Sequence, residues 1–437
     1  MVIKFVDLFA GIGGIRLGFE NAMKNFGIET KCVLSSEIDK NACETYQLNF
    51  NETPEGDIHF IDEIDDFDFL LAGFPCQPFS YAGKQRGFGD TRGTLFFEIE
   101  RLLEKYRPTG FLLENVRGLV SHDKGRTLST IIEKLEALNY KVNYLVLNSS
   151  NFGIPQNRVR IYIVGLLNKY PNLSLESDTG SSDSHEFKKK QLSLFNEDKY
   201  NHLTVKNILE TDKEVMEKYK CTDKFINMLS KVVGNEFNSL HGYRLIDYRN
   251  GKSIHSWELG LKGDCSQEEI EFMNALIANR RKKVFGTEQD GKRLTINQIR
   301  TFFDVPNLQE IIDSLLEKGY ISDDGEKKYN PVAGNMSFEV FKFLDPDSIS
   351  ITLTSADSHR LGIVQNNIPR RITPRECARL QGFPDYFKCH PNDKFAYKQF
   401  GNSVSVPVIE KVISDLVSNN IEFFDKHFNV KKEVTKS

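Results

Sequence analysis

Residues 2–20 read VIKFVDLFAGIGGIRLGFE, and this stretch decides the fold class. Residues 2–9 have the pattern of an apolar strand, and the glycine turn that follows contains Gly11 and Gly13. From Ile15, apolar residues recur at three- and four-residue steps, which predicts a helix. Strand, glycine turn and helix in this order are typical of the opening of a cofactor-binding α/β sheet. The dinucleotide fingerprint is not met, because Arg16 stands where its third glycine would be, and no phosphate-loop G-K-[ST] follows.

Strand and helix patterns alternate through the next 140 or so residues of the chain. Strands are predicted at 31–36, 67–72, 110–116, 142–147 and 159–165, and helices at 95–106 and 128–138. This alternation predicts an open α/β sheet, and such sheets present their ligands at the carboxyl edge of the strands.

The stretch 70–80, LLAGFPCQPFS, places a lone cysteine between two prolines where a buried strand ends. Free cysteine is usually a small buried hydrophobe. The prolines and the polar residues Gln77 and Ser80 argue against a packed interior around Cys76. On these residues alone a nucleophilic thiol and a structural thiol stay open as alternatives.

Other polar residues are expected at the same edge of the sheet. Glu37 follows the second strand, where an acidic side chain commonly accepts hydrogen bonds from a ribose; a solvated surface carboxylate is the alternative. Glu114 ends the strand 110–116, and Arg158 and Arg160 share one face of the strand that begins beside them. The polar loop 81–94 has the composition of a segment that closes over a substrate.

Composition narrows the class of protein. With 437 residues and 39% hydrophobic content, the chain is long enough for two or three globular domains. It has no apolar run near the length of a membrane span, about 18 residues, and no secretory signal pattern, so we expect a cytoplasmic protein with no membrane partner. Seven cysteines without a C-x-x-C pair fit a reducing compartment and argue against a zinc site. The net charge of −4 does not identify a nucleic-acid binder, although one face can still be basic.

The domain organisation is predicted from a change in composition. Residues 1–170 read as the first part of a catalytic domain, 171–200 as a serine- and charge-rich linker, 201–368 as a second domain, and 369–437 as a return to the first. Within the second domain, Ser266 and Glu269 form a capping box before a helix that ends in a run of four cations. Residues 294–322 resemble a winged helix-turn-helix, either a DNA-contacting element or a merely packed helical pair.

The ordered motifs closely resemble the motif series of the bacterial DNA cytosine-5 methyltransferases. They are DLFAGIGG, SSEID, GFPCQPFS, ENVRGL, QNRVRIYIVG, RRITPRECARLQGFP and KQFGNSVSVP. The resemblance covers residues 3–165 and 370–417, whereas the middle resembles only the family's variable target-recognition region, with Thr352 in its closing threonine-leucine signature. It implies a doubly wound, Rossmann-like methyltransferase sheet with a second, mixed target-recognition domain.

The resemblance also implies roles for particular residues. Cys76 would attack carbon 6 of cytosine, Glu114 would engage ring nitrogen 3, and Arg160 would hold the 2-oxo group, with Arg158 and Gln77 completing the catalytic set. Ile38 stands where many relatives carry a tryptophan against the adenine of the cofactor. The implied S-adenosylmethionine pocket consists of Phe9, Gly11, Gly13, Glu37, Ile38, Asp57, Ile58, Pro75, Asn402, Ser403 and Val404. The expected DNA contacts are Ser80, Arg92, Arg280, Arg281, Lys282, Lys283 and Thr352.

The sequence therefore predicts a monomeric, sequence-specific DNA methyltransferase that acts on double-stranded DNA, with a cognate restriction endonuclease acting separately. Two alternatives remain at this point. One is a tRNA cytosine-5 methyltransferase, although such enzymes usually carry a second proline in place of Phe74 and a smaller middle region. The other is a non-catalytic methylation sensor, which the intact set of site residues disfavours.

Overall fold

The computed structural model describes residues 2–75, 95–178, 203–247, 249, 251–287 and 292–428. These residues form two compact units. Unit 1 comprises Met1–Ile208, Ile349–Ser358 and Pro374–Ser437, and unit 2 comprises Leu209–Ser348 and His359–Thr373. The segment that carries Thr352 therefore clusters with unit 1.

The elements are numbered in chain order. The N-terminal part of unit 1 contains β1 (Val2–Leu8), α1 (Gly14–Asn25), β2 (Glu29–Ser36), α2 (Lys40–Phe50), β3 (Phe69–Gly73), α3 (Leu95–Tyr106), β4 (Gly110–Val116), α4 (Arg126–Ala137), β5 (Tyr140–Asn148) and β6 (Val159–Leu167). Unit 2 contains α5 (Lys213–Tyr219), α6 (Asp223–Val233), β7 (Arg244–Leu245), β8 (Ser253–Ile254), α7 (Gln267–Asn279), β9 (Leu294–Thr295), α8 (Ile296–Arg300), α9 (Leu308–Glu317), β10 (Ile321–Asp323), β11 (Lys328–Pro331), β12 (Lys342–Phe343), β13 (Leu361–Gln365) and β14 (Ile368–Arg371). Unit 1 resumes with α10 (Pro374–Leu380), α11 (Asp393–Asn402), α12 (Val406–Asn419) and α13 (Ile421–Phe428).

Unit 1 is built on a six-stranded sheet of order β2-β1-β3-β4-β6-β5. Strands β1 to β4 pair in parallel, whereas β6 runs antiparallel to both β4 and β5. The carboxyl ends of β1 to β4 therefore meet at one edge, from which the glycine turn, Glu37 and the segment after β3 extend. The prediction of a Rossmann-like α/β sheet is confirmed.

Helices cover both faces of this sheet. Ile3 and Phe5 of β1 belong to one core cluster, which includes buried residues of α1, α12 and α13. Val6 and Leu8 belong to a second cluster, with buried residues of α3 and α4. Because successive strand residues alternate between faces, one short strand contributes to both layers.

The C-terminal segment completes the first of these cores. A Cβ atom built at Gly18 of α1 would lie 2.6 Å from Cβ of Ile409 in α12, so the two helices approach more closely than a side chain at residue 18 allows. A buried polar contact also fixes the returning chain, because Nε2 of Gln156 donates to the carbonyl oxygen of Leu380 at 2.6 Å. The sheet thus depends on residues from both ends of the sequence.

Unit 2 has its own cores and two small sheets. Buried residues of α7, α8 and α9 pack with the three-stranded antiparallel sheet β10-β11-β9 around Trp257. The second sheet has the order β14-β13-β12-β7-β8, and it packs with α6 around Phe225 and Phe343. Within the described parts of both units, no helix has the length and apolar character to cross a membrane.

Candidate active site

A cleft of about 700 Å³ opens at the carboxyl edge of the sheet in unit 1. It brings together the glycine turn after β1, the ends of β2, β3 and β4, and the segment 398–404. Of the residues implied by sequence, it is lined by Phe9, Gly11, Glu37, Ile38, Asp57, Ile58, Pro75, Glu114, Arg158, Arg160, Asn402, Ser403 and Val404.

Glu114 and Arg160 form an ion pair inside this cleft. Nε of Arg160 lies 3.2 Å from Oε1 of Glu114, and both side chains are largely buried. Burial raises the pKa of Glu114 above its ordinary value, and the positive charges of Arg160 and Arg158 oppose part of that rise. The carboxyl group is therefore easier to protonate than a surface glutamate, which suits a group that must donate a proton or hydrogen bond.

Arg158 has a different environment from Arg160. Its side chain is buried, and NH1 donates to the carbonyl oxygen of Leu353 at 2.9 Å and to that of Gly401 at 3.5 Å, while NH2 donates to the carbonyl oxygen of Ser403. Burial, with the nearby charge of Arg160, lowers the pKa of Arg158 to about 10. The resemblance placed Arg158 in the catalytic set, and the structure places it in the lining of the cleft, with its guanidinium group donating to backbone carbonyl oxygens.

Glu37 supports the glycine turn. Oε2 of Glu37 accepts a hydrogen bond from the amide of Gly11, and Oε1 accepts from the amides of Ile38 and Asp39, each at 2.8 Å. A carboxylate has about four acceptor positions, so capacity for a ligand donor remains. A Cβ built at Gly11, where φ is +55°, meets nothing within 4 Å, so the backbone here is open to a bound molecule.

Gly13 is the exception among the predicted cofactor residues. It does not line the cleft, and a Cβ at this position would lie 2.2 Å from the ring of Phe50. Gly13 is the N-cap residue that precedes α1, and its φ of +83° is a left-handed conformation. Gly13 is therefore needed for close packing and for the turn, and its predicted place in the pocket is corrected.

Asn115 lines the cleft, and its role is visible only in the structure. Its side chain is buried, and Nδ2 donates to the carbonyl oxygen of Phe74 at 2.9 Å. This bond ties the segment that leads to Cys76 to the strand that carries Glu114. The sequence shows Asn115 beside Glu114, but it does not show that the side-chain amide of Asn115 binds a residue 41 positions away.

Four predicted site residues, Cys76, Gln77, Ser80 and Arg92, lie outside the described residues, as does the loop 81–94. Thr352 is described, and its hydroxyl donates to the carbonyl oxygen of Asn157. In unit 2, Arg281, Lys282 and Lys283 are exposed. Arg280 is 2% exposed and donates to Oδ1 of Asn330 at 2.5 Å, so it is removed from the expected phosphate contacts.

Comparisons with known proteins agree with this geometry. The chain matches the family model for C-5 cytosine-specific DNA methylase over residues 3–418. It is 70% identical over 421 residues to the Type II methyltransferase M.BanI of Aneurinibacillus aneurinilyticus, covering 96% of this chain and 97% of that one. It is 64% identical over 417 residues to the Type II methyltransferase M.HgiCI of Herpetosiphon aurantiacus, covering 95% and 98% of the two chains.

Solved structures give the same fold at much lower identity. The S. pombe Dnmt2 methyltransferase superposes with a TM-score of 0.56 at 18% identity, covering 95% of this chain and 99% of that one. At this identity the likeness supports the fold alone. The family match and the two bacterial relatives go further: the chain belongs to the C-5 cytosine-specific DNA methylase family and is a DNA cytosine-5-methyltransferase.

Proposed function

We propose that the cleft of unit 1 binds S-adenosylmethionine at its glycine-turn end and a flipped-out cytosine of double-stranded DNA at its Glu114 end. The polar lining fits a nucleoside, because the carboxylate oxygens of Glu37 and Asp57 accept hydrogen bonds and the backbone at Gly11 is open to a bound molecule. Ile38 is 74% exposed and offers an apolar surface to an adenine ring. When bound, this cofactor supplies the methyl group, and the residues of the chain bind, orient and activate the base.

In this proposal Cys76 is the nucleophile. Its thiolate adds to carbon 6 of cytosine, and the electron pair of the C5–C6 double bond moves towards carbon 5, which becomes nucleophilic. Glu114 donates to ring nitrogen 3 and offsets the negative charge that develops on the ring, while Arg160 holds the 2-oxo group. After carbon 5 is methylated, a base or water removes its proton, the electron pair restores the double bond, and the thiolate leaves.

The observation that carries the proposal is the buried Glu114–Arg160 pair in the same cleft as the glycine turn and Pro75, the residue before Cys76. Base flipping is required, because the reacting atoms cannot be reached in a stacked duplex, and it costs a few kcal/mol. An acid, a cation and a candidate thiol beside a cofactor pocket are the parts that this reaction needs.

The test is covalent trapping by DNA that contains 5-fluorocytosine, in which fluorine at carbon 5 cannot leave as a proton does. With S-adenosylmethionine present, the wild-type protein should form a denaturation-resistant complex with this DNA. Cys76→Ser should form none while binding S-adenosylhomocysteine as the wild type does. Cys265→Ser, which removes a partly exposed thiol of unit 2, is the matched control and should trap normally.

Three outcomes would overturn the proposal in whole or in part. A covalent complex that survives in Cys76→Ser would place the nucleophile elsewhere. If Cys76→Ser lost cofactor binding as well as trapping, residue 76 would have a structural role. Methyl transfer to tRNA and not to duplex DNA would favour the alternative substrate.

We also infer a role in restriction–modification, because the two bacterial relatives carry Type II methyltransferase names. A cognate endonuclease would then be a separate chain that cleaves the unmethylated sequence. A monomeric, cytoplasmic enzyme is consistent with this role. Sequencing of methylated DNA from cells that express the protein, followed by digestion with candidate endonucleases, tests the role in restriction–modification. Sedimentation velocity tests the monomeric state.

A further inference from the structure

Residues 266–331 of unit 2, named here the winged-helix module, have the element order of a winged helix. Helix α7 is followed by β9, α8, α9 and the hairpin β10–β11, and the three strands pair in the order β10-β11-β9. In helix-turn-helix proteins the second helix of the pair enters the major groove, and here that helix is α9. The inference below rests on the proposed DNA substrate.

The exposed face of α9 carries the wrong charge for that arrangement. Its exposed residues are Gln309, Glu310, Asp313 and Glu317, and the helix contains no cation. Asp323 at the end of β10 and Asp324 and Glu326 in the turn that follows add exposed carboxylates, of which Glu326 is paired with Lys328. Bringing this face against the phosphates of a duplex would set like charges side by side and remove the counterion release that drives such binding.

The opposite charge is concentrated at the end of α7. Residues 281–283, the basic turn, are Arg281, Lys282 and Lys283, and all three are exposed. Arg293 is exposed as well, and it follows Lys292. Val284, the next residue along the turn, is 81% exposed and adds an apolar tip beside the cations.

Buried cations hold the basic turn in shape. The ammonium group of Lys292 is in a side chain only 6% exposed, and it donates to the carbonyl oxygens of Arg281 at 3.2 Å and Lys282 at 3.4 Å. The buried Arg280 anchors the same turn to β11 through Asn330. Cations at a helix C-terminus are favoured by its dipole, but that effect is confined to the last turn and screened by salt. The buried Arg280 and Lys292 and the four exposed cations of this region repel one another. An anionic partner lowers that electrostatic repulsion.

We propose that the winged-helix module binds the DNA backbone through the basic turn, with α9 and the β10–β11 turn facing away from the duplex. The module then acts as a phosphate clamp in which the second helix of the pair does not read bases. Its contacts add affinity and position the enzyme, and they carry no sequence information of their own.

The first test uses the wild-type full chain and lysine acetylation followed by mass spectrometry, with and without duplex DNA that it methylates. Lys282 and Lys283 should lose reactivity when DNA is added. Lys327, exposed in the β10–β11 turn, is the internal control and should stay reactive. Protection of Lys327, or unchanged reactivity of Lys282 and Lys283, would overturn the proposal.

The second test compares two triple variants. Neutralising the basic turn (R281A/K282A/K283A) should weaken binding to DNA that contains the target site and to unrelated DNA by a similar factor, about ten- to a hundredfold at low salt. The salt slope should fall by about 0.9 for each phosphate that the variant no longer neutralises. Neutralising α9 (E310Q/D313N/E317Q) should change neither quantity. Tighter binding or altered sequence preference in the α9 variant would place that helix on the DNA.

The two levels of inference fail in distinguishable ways. If the wild-type protein methylates no duplex DNA, the proposed function is wrong. If it methylates DNA and the basic-turn variant binds like the wild type, only the orientation of the module is wrong. Circular dichroism of both variants checks that these exposed substitutions leave the fold intact.

Discussion

Glu114 is the residue whose environment most directly sets the chemistry. Its raised pKa means that protonation is favoured in the folded protein, since burial disfavours the charged form. The stability linked to that proton is fully present below the ordinary value of 4.5 and is lost as pH rises through the raised value. In the proposed mechanism, the same titration removes the donor that ring nitrogen 3 requires.

We therefore expect the rate of adduct formation with 5-fluorocytosine DNA to fall at high pH in the wild type. Glu114→Gln should be slower by roughly 10²- to 10⁴-fold near neutral pH and should lack this descending limb. Single-turnover trapping between about pH 5 and pH 9 measures both. Glu100→Gln is the control: this residue of α3 pairs with Lys134, and the variant should keep the wild-type pH profile. If the fall in rate at high pH persisted in Glu114→Gln, it would belong to the titration of another group.

Arg158 and Arg160 are two residues apart and differ in what they hold. Lysine at 158 keeps the charge but cannot span the carbonyl groups of Leu353, Gly401 and Ser403. We expect Arg158→Lys to lower the free energy of unfolding by about 2–4 kcal/mol, because hydrogen bonds of a buried charged group are lost, and to weaken S-adenosylhomocysteine binding.

Urea unfolding and cofactor titration test this expectation, with Arg160→Lys as the comparison. That change should lower the free energy of unfolding less than Arg158→Lys does, because lysine keeps the charge that pairs with Glu114, and it should slow trapping, because Glu114 is the proposed acid. Equal destabilisation by the two changes would remove the distinction drawn between the two arginines.

At the scale of elements, the contact between α1 and α12 decides whether the C-terminal segment is part of the sheet's core. Two effects of Gly18→Ala oppose each other there. Helix propensity alone predicts a gain of roughly 0.5–1 kcal/mol, whereas the 2.6 Å approach to Ile409 predicts a loss of about 1–3 kcal/mol from overpacking.

We expect the packing effect to prevail, so Gly18→Ala should lower the midpoint of thermal unfolding. Gly118→Ala is the control, because a Cβ at residue 118 would meet only Val116 of its own segment, at 3.9 Å. Calorimetry of both variants gives the sign directly. A stabilised Gly18→Ala protein would mean that α12 lies farther from α1 than described.

The sequence predicted the positions of the strands and helices better than the order and direction in which the strands pair. The strand at 110–116 was placed to the residue and that at 159–165 within two residues, because both are apolar runs bounded by clear breaks. Helix α2 was not predicted, since only Ala42, Thr45 and Tyr46 of its residues are buried and its apolar stripe is narrow. The antiparallel direction of β6 could not be read from a pattern, because apolar periodicity gives no strand direction.

The candidate site shows the same limit. Glu37, Glu114 and the glycine turn were predicted, because Glu37 and the glycine turn follow recognisable strands and Glu114 lies near the end of one. The structural positions of Arg158 and Arg280 were not, since their partners lie 195 and 50 residues away in sequence and are a backbone carbonyl and an amide side chain. Local sequence marks a residue as cationic, and only the tertiary structure shows whether that cation faces a ligand or the protein itself.

At the scale of the whole molecule, each of the two units has buried core clusters of its own. The clusters around the six-stranded sheet contain residues of unit 1, and those around Trp257 and Phe225 contain residues of unit 2. All residues that line the proposed cofactor cleft belong to unit 1. A ligand that binds only the folded form stabilises the part of the chain that must be folded to bind it.

We therefore expect S-adenosylhomocysteine, at about 100 times its Kd, to stabilise unit 1 by about 2.7 kcal/mol and to leave unit 2 unchanged. Hydrogen exchange should slow at the most protected amides of β1, β3 and α12, because those exchange only when unit 1 opens. Amides of α7 and α9 provide the comparison within the same sample. If exchange in those helices slowed by the same factor, the two units would unfold as one cooperative body, and the stability of the cofactor site would depend on the integrity of the winged-helix module.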